Sequence, residues 1–147
     1  MKKRYYNLLA LPALTVIVFC LLSGYSDQDP KDAARTLIDQ RMKVLQSAAQ
    51  SEIPRGEAER LLREIEDDAL LSRDLTELRN SGRVAPDKLY SVKFKDMTKK
   101  KSFFQYTTYQ ADIVWDMGQS TQQAVYNVVL KEDNGHFRLT VLEPIKV

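Results

Sequence analysis

The chain reads as an α+β protein, and three observations predict it. A basic and then apolar N-terminal segment is followed by a stretch from about residue 30 to 80 whose apolar residues recur at helical spacing, and by a stretch from about 88 to 145 whose apolar residues alternate. Helices first and strands after predicts two to three helices packed on one face of a four-stranded antiparallel β-meander. The expected division is a signal peptide or N-terminal transmembrane anchor over 1–26 and one exported α+β domain over 27–147.

Lys2, Lys3 and Arg4 precede an apolar run from Leu8 to Leu22. As a helix, those 15 residues cover roughly 22 Å of a hydrocarbon core about 30 Å thick, the length of a signal-peptide core. Counted from Tyr5 to Tyr25 the segment reaches roughly 31 Å, with tyrosines at both ends as interfacial anchors, which favours a retained span. Gly24 and Ser26 supply a cleavage site for the alternative, a secreted form cut near Ser26. Basic residues before the segment, with Asp27 and Asp29 after it, keep the N-terminus in the cytoplasm and put the domain outside. Cys20 follows Phe19 rather than a small residue, so it is expected to be an apolar filler and not a lipidation site.

Asp29 and Pro30 open the first helix as N-cap and first helical residue. Ala34, Leu37, Ile38, Met42, Leu45 and Ala49 form its apolar face, and it ends near Gln50 before the Ile53-Pro54-Arg55-Gly56 break. A second helix over about 57–68 buries Ala58, Leu61, Leu62 and Ile65, with Glu59 and Arg63 spaced for an ion pair. A short third helix, capped by Ser72, buries Leu71, Leu75 and Leu78 and closes at Asn80-Ser81-Gly82. The strands follow. Val92 and Phe94 mark the first; Tyr109, Ala111, Ile113 and Trp115 the second; Ala124, Tyr126, Val128 and Leu130 the third; Phe137, Leu139 and Val141 the fourth. Asp133-Asn134-Gly135 makes the last hairpin, and turns are expected at 98–101 and 117–119.

The composition narrows function mainly by exclusion. The formal charge is +2, of which Lys2, Lys3 and Arg4 supply three charges, so the exported part is nearly neutral and offers nucleic acid no general attraction. About 120 residues suffice for one core. The domain has no cysteine and a single histidine, which disfavours zinc, and no metal or other cofactor is expected. No Asn-x-Ser/Thr acceptor occurs, so a bacterial origin is the easier reading.

Each candidate for chemistry has a plainer explanation. His136 leaves the hairpin turn and is expected in water. Glu64, Glu66, Asp67 and Asp68 lack the glycine and the alternation of a calcium loop and are expected as a solvated helix face. Asp112 and Asp116 point away from the Ile113/Trp115 face. Phe103, Phe104, Tyr106 and Tyr109 are expected in core and cross-strand packing. Lys88, Lys93, Lys95, Lys99, Lys100 and Lys101 outnumber Asp87 and Asp96 and make a basic edge, which blocks sheet-to-sheet pairing and could meet anionic lipid or cell-wall polymer. The candidate interaction surface is therefore Lys93, Lys95, Lys99, Lys100, Lys101 and Tyr106, with no catalytic, cofactor or metal residues.

Helices leading into a curved meander over residues 32–147 resemble the NTF2-like and cystatin-like cone folds, small membrane-anchored versions of which serve bacterial envelope machinery. The resemblance lies in element order. Gln123-Ala124-Val125-Tyr126-Asn127 is similar to the cystatin Gln-x-Val-x-Gly turn but has Asn for Gly and falls inside a strand. The expectation is a non-catalytic, extracytoplasmic protein-interaction domain, membrane-held through residues 5–25, with an envelope protein as partner and homo-oligomers open. An NTF2-like small-molecule-binding or isomerase-like domain, or a released factor, is the alternative.

Overall fold

The computed structural model describes residues 28–80 and 91–146. The N-terminal anchor, Lys88 and the 81–82 helix end lie outside the described residues. Among the described residues no helix is long and apolar enough to cross a membrane.

The α+β order holds. Three helices, α1 (Pro30–Ala49), α2 (Arg55–Ile65) and α3 (Asp68–Asn80), precede four strands, β1 (Ser91–Phe103), β2 (Tyr106–Asp116), β3 (Thr121–Asp133) and β4 (His136–Pro144). The strands form one antiparallel sheet in the order β1-β2-β3-β4. Helix α1 starts as its sequence dictates: the Asp29 side chain accepts the Lys31 N–H at 3.0 Å, and Pro30 occupies the first turn, where a missing donor does no harm.

One face of the sheet receives the helices. Ala33, Ala34, Leu37 and Ile38 of α1 pack on Met97, Tyr109, Ala111, Ile113, Trp115, Val128, Leu130, Leu139 and Leu142. The alanines let helix and sheet approach closely, and each large apolar side chain contributes about 1.5–3 kcal/mol by leaving water. Trp115 Nε1 donates to the Tyr126 hydroxyl at 3.0 Å, so the buried indole keeps its partner. Helices α2 and α3 pack beside α1 and against β4, burying Ala58, Leu61, Leu62, Leu70 and Leu75.

Several local expectations change. Helix α2 begins at Arg55 and stops at Ile65, because Glu66 turns extended (φ −119°, ψ 160°) and bridges Leu139 of β4 in parallel. Helix α3 starts at Asp68, whose φ of 53° makes the corner; Ser72 lies inside the helix, and Leu70 and Leu75 are buried whereas Leu71 and Leu78 are only partly so. Glu59 pairs with Arg79 of α3 rather than Arg63, and Arg60 takes Glu57 and Glu64.

In the sheet, β1 runs unbroken through 98–101, with bulges between Phe94 and Asp96 and between Lys99 and Lys101; these absorb the irregular pattern that suggested a turn. The hairpin instead turns at Phe104 and Gln105, between the paired Phe103 and Tyr106. A bulge in the β3–β4 ladder places Thr140 as the extra residue, so the alternation slips and Leu142, not Val141, continues the buried face of Phe137 and Leu139. The Asn134-Gly135 hairpin forms as expected, with φ of 51° and 78°. The turn at Gly118, φ 82°, also forms where expected, with the Asp116 carboxylate accepting the Gly118 N–H at 2.9 Å.

Candidate functional site

Two places gather chemistry, one inside the helix layer and one at an end of the sheet. The inner one was not legible as a site. Arg41 lies on the apolar stripe of α1, a turn beyond Leu37 and Ile38, and its side chain turns inward with 8 % of its surface exposed. Its Nε donates to Glu66 Oε1 at 2.6 Å and to Asp74 Oδ2 at 2.7 Å, while Nη2 reaches Asp74 Oδ2 at 2.5 Å. Glu66 and Asp74 are 1 % and 0 % exposed. One guanidinium thus ties α1 to the α2–α3 corner and to α3.

Two carboxylates facing one cation cannot both stay ionised out of water without leaving a net buried charge. Burial, first of all, then the hydrogen bond and negative charge of Asp74, push the Glu66 carboxyl up to about 8, against the pull of Arg41. Near neutral pH, Glu66 therefore carries a proton and Arg41 with Asp74 forms the ion pair. This also accounts for Glu66 Oε2, which as a bare oxygen is buried without a hydrogen-bond donor. A raised carboxylic acid beside a carboxylate is the equipment of acid–base catalysis, but here both carboxylates share the Arg41 guanidinium and the cluster is buried. The three side chains tie the helices together.

The expected solvated acidic face is accordingly corrected. Only Glu64 and Asp68 of that group lie in water, while Glu66 is buried and Asp67 pins the corner to the sheet. Its N–H donates to the Leu139 carbonyl at 3.0 Å, and its carboxylate accepts from Lys131 Nζ at 2.9 Å. The Lys131 ammonium holds the Asp67 carboxyl below its ordinary value, with burial opposing.

No family model matches this chain. No curated protein matches it either. Among solved structures it is similar to a de novo β-sheet design protein determined by solution NMR, at 12 % identity and a TM-score of 0.37, over 79 % of this chain and 89 % of that one. A likeness at that score carries no argument, so function must be read from the residues themselves.

The outer place contains the residues singled out in the sequence. Lys93, Lys95, Lys99, Lys100 and Lys101 are all exposed on β1, an edge strand. Lys95 Nζ reaches across β2 to Gln123 Oε1 at 2.8 Å, and the Gln123 amide holds both Asp112 oxygens at 2.9 Å. Lys95 therefore belongs to a polar network with Gln123 and Asp112 on the sheet face that the helices leave bare. Lys99, Lys100 and Lys101 lie farther along, beside the β1–β2 turn, with the Lys101 ammonium 5.6 Å from the Phe103 ring centre. Among the described residues Lys93, Lys99 and Lys100 make no ion pair. Tyr106 is half-buried opposite Phe103 and Lys131.

The turn itself overturns an expectation. Phe103 and Phe104 are not core: they are 61 % and 89 % exposed, their rings edge to face at 4.5 Å. Tyr109 alone of that aromatic group is buried. Phe104 also takes a positive φ of 49°, a conformation that a bulky side chain rarely accepts and that Gly, Asn or Asp normally fills in a two-residue turn. Neither burial nor backbone preference explains an aromatic ring there. The remaining candidates behave plainly: His136 is exposed at the last hairpin, and Gln123 to Asn127 lie within β3. Among the described residues no group of His, Cys, Asp and Glu side chains is arranged to hold a metal ion.

Proposed function

We propose that residues 27–147 form a non-catalytic interaction domain, held on the outer side of a bacterial membrane by residues 5–25, and that the open face of its sheet meets another envelope protein. The observation that carries this reading is that face. Thr108, Gln110, Asp112 and Val114 of β2, Val125, Asn127 and Val129 of β3 and Val141 of β4 stand half-exposed on it, and no described element packs against them. Valines interleaved with amides, a hydroxyl and a carboxylate suit a protein contact, which takes apolar area and directional hydrogen bonds together. Lys93 and Lys95 frame this surface on the β1 side and Tyr106 at one end.

A photo-crosslinking residue at Gln110 or Asn127, in full-length protein in its own cells, is expected to capture one discrete envelope protein. The same probe at Glu64, exposed on α2, is expected to capture none. Crosslinks only to itself, or none, would sink the proposal. The tether has its own check, the intact mass of the membrane-bound protein: full length supports it, whereas a chain beginning near Asp27 in the medium replaces it with a released factor.

A further inference from the structure

We infer that the β1–β2 hairpin tip is a lipid-docking point: Phe103 and Phe104 enter the interface of an anionic bilayer while Lys99, Lys100 and Lys101 meet its headgroups. Three observations converge on that occupant. The first is the pair of exposed rings, side by side at the very end of a two-residue turn, with one of them in a backbone conformation that disfavours it. Folding gains nothing from Phe104 in that place, so its use must lie in something that meets the tip from outside.

The second is charge. Three exposed lysines precede the rings with only Ser102 between, and the nearest acid on β1 is Asp96, which accepts the Thr98 hydroxyl at 3.0 Å. The neighbouring β3–β4 turn brings Glu132 and Asp133, while Lys131 and Arg138 both face Asp67, so these five side chains together with Lys99, Lys100 and Lys101 keep a net positive charge. Aromatic rings flanked by lysine are suited to a boundary that is apolar below and anionic at its surface, where a lysine within a Debye length adds roughly fivefold to partitioning.

The third is position. The apolar sequence ending at Tyr25 stops only four residues before Asp29, so a tether through it holds the whole domain, the exposed tip included, within reach of the bilayer. The tether would make even a weak tip contact persistent by raising its effective concentration. With the tip in lipid, the open sheet face stands clear of the bilayer, and the inference thus deepens the membrane-held reading above without depending on its protein partner.

The test uses the full chain reconstituted with vesicles of phosphatidylcholine, or of phosphatidylcholine and phosphatidylglycerol in equal parts, each with brominated acyl chains. In Phe104→Trp the new indole reports contact with bromine. The native Trp115, buried and nine residues along β2 from Tyr106, about 30 Å away, supplies the unquenched baseline. The expected result is quenching of the Phe104→Trp indole in the anionic vesicles and weaker quenching in the neutral ones. Changing Lys99, Lys100 and Lys101 together to Ala should lower tip partitioning on the order of 100-fold.

The outcomes separate the two readings. Chain that sediments with both vesicle types and is quenched in the anionic ones supports tether and tip alike. Sedimentation with both but no quenching beyond the Trp115 baseline overturns the tip inference, leaves the tether standing and gives the rings to a protein contact. Sedimentation and quenching with anionic vesicles alone supports the tip and removes the tether, and sedimentation with neither removes both.

Discussion

Changing Glu66 to Gln should make the protein more stable at pH 8 and leave it nearly unchanged at pH 5. The reasoning starts from a carboxyl raised from 4.5 to about 8 in the folded protein. Unfolded, it ionises at its ordinary value. Between those limits the folded state holds a proton that the unfolded state has lost, so stability falls as pH rises, by about 1.4 kcal/mol for each pH unit. The contribution is fully present below the unfolded pKa and gone once pH passes the folded value. Over the two units from pH 5 to 7 the loss is about 2–3 kcal/mol, or roughly 10 °C in Tm for a domain of this size. Groups facing Glu66 are Arg41 from α1 and Asp74 from α3, with Asp67 and its partner Lys131 just beyond. Gln has the shape of the protonated acid and cannot ionise, so Glu66→Gln removes this dependence while the titration of every group outside the cluster cancels in the difference. The assay is thermal unfolding of full-length protein in mild detergent, followed through Trp115 at pH 5, 6, 7 and 8. Parallel Tm curves for the two proteins would refute the argument. They would mean that Glu66 is ionised throughout and that the cluster keeps a net negative charge beside Arg41.

Arg41→Met should destabilise by about 3–5 kcal/mol near neutral pH, because Asp74 loses the cation that its burial requires; replacing Glu66 and Asp74 by Leu in the same protein should recover most of the loss, as denaturant titration would show. Gly135→Ala should cost about 1 kcal/mol through its φ of 78° alone, since an added Cβ there meets nothing within 4 Å, and urea unfolding will measure it. Phe104→Gly should hold or raise the midpoint of unfolding, by up to about 1 kcal/mol, because it relieves a positive φ and removes no buried surface, whereas Ile113→Ala, in the core, should lose about 2–5 kcal/mol. If Phe104→Gly instead destabilised as a core substitution does, the hairpin tip would be packed, and its lipid role would go with it.

How far the candidate site could be read in advance depended on the range of the interactions that make it. The lysines were legible because charge on a strand that starts a meander is charge on an edge, and β1 is that edge. The two phenylalanines were visible but misplaced: the irregular alternation at 98–101 suggested a turn, and bulges produce the same irregularity while the strand continues. Arg41 did leave a trace, a charge at helical spacing within the stripe of Ala34, Leu37, Ile38 and Leu45. Asp74 left a similar one, a turn beyond Leu70. Nothing in either spacing named the partner, since the ion pairs join residues 25 and 33 positions apart.

By itself the sequence determined what local physics governs. Asp29-Pro30 started a helix, period 3.6 gave way to period 2, and Asn134-Gly135 closed a hairpin, each because the favoured backbone angles belong to those few residues. Tertiary structure alone decided which charges left water and which apolar rings did not. Glu66 went inside because α2 ends where its corner meets Leu139, and Phe104 stayed outside because it lies in the turn itself, beyond the last strand pair Phe103 and Tyr106. Burial is a property of how whole elements lie against one another, and a short stretch of sequence does not contain it.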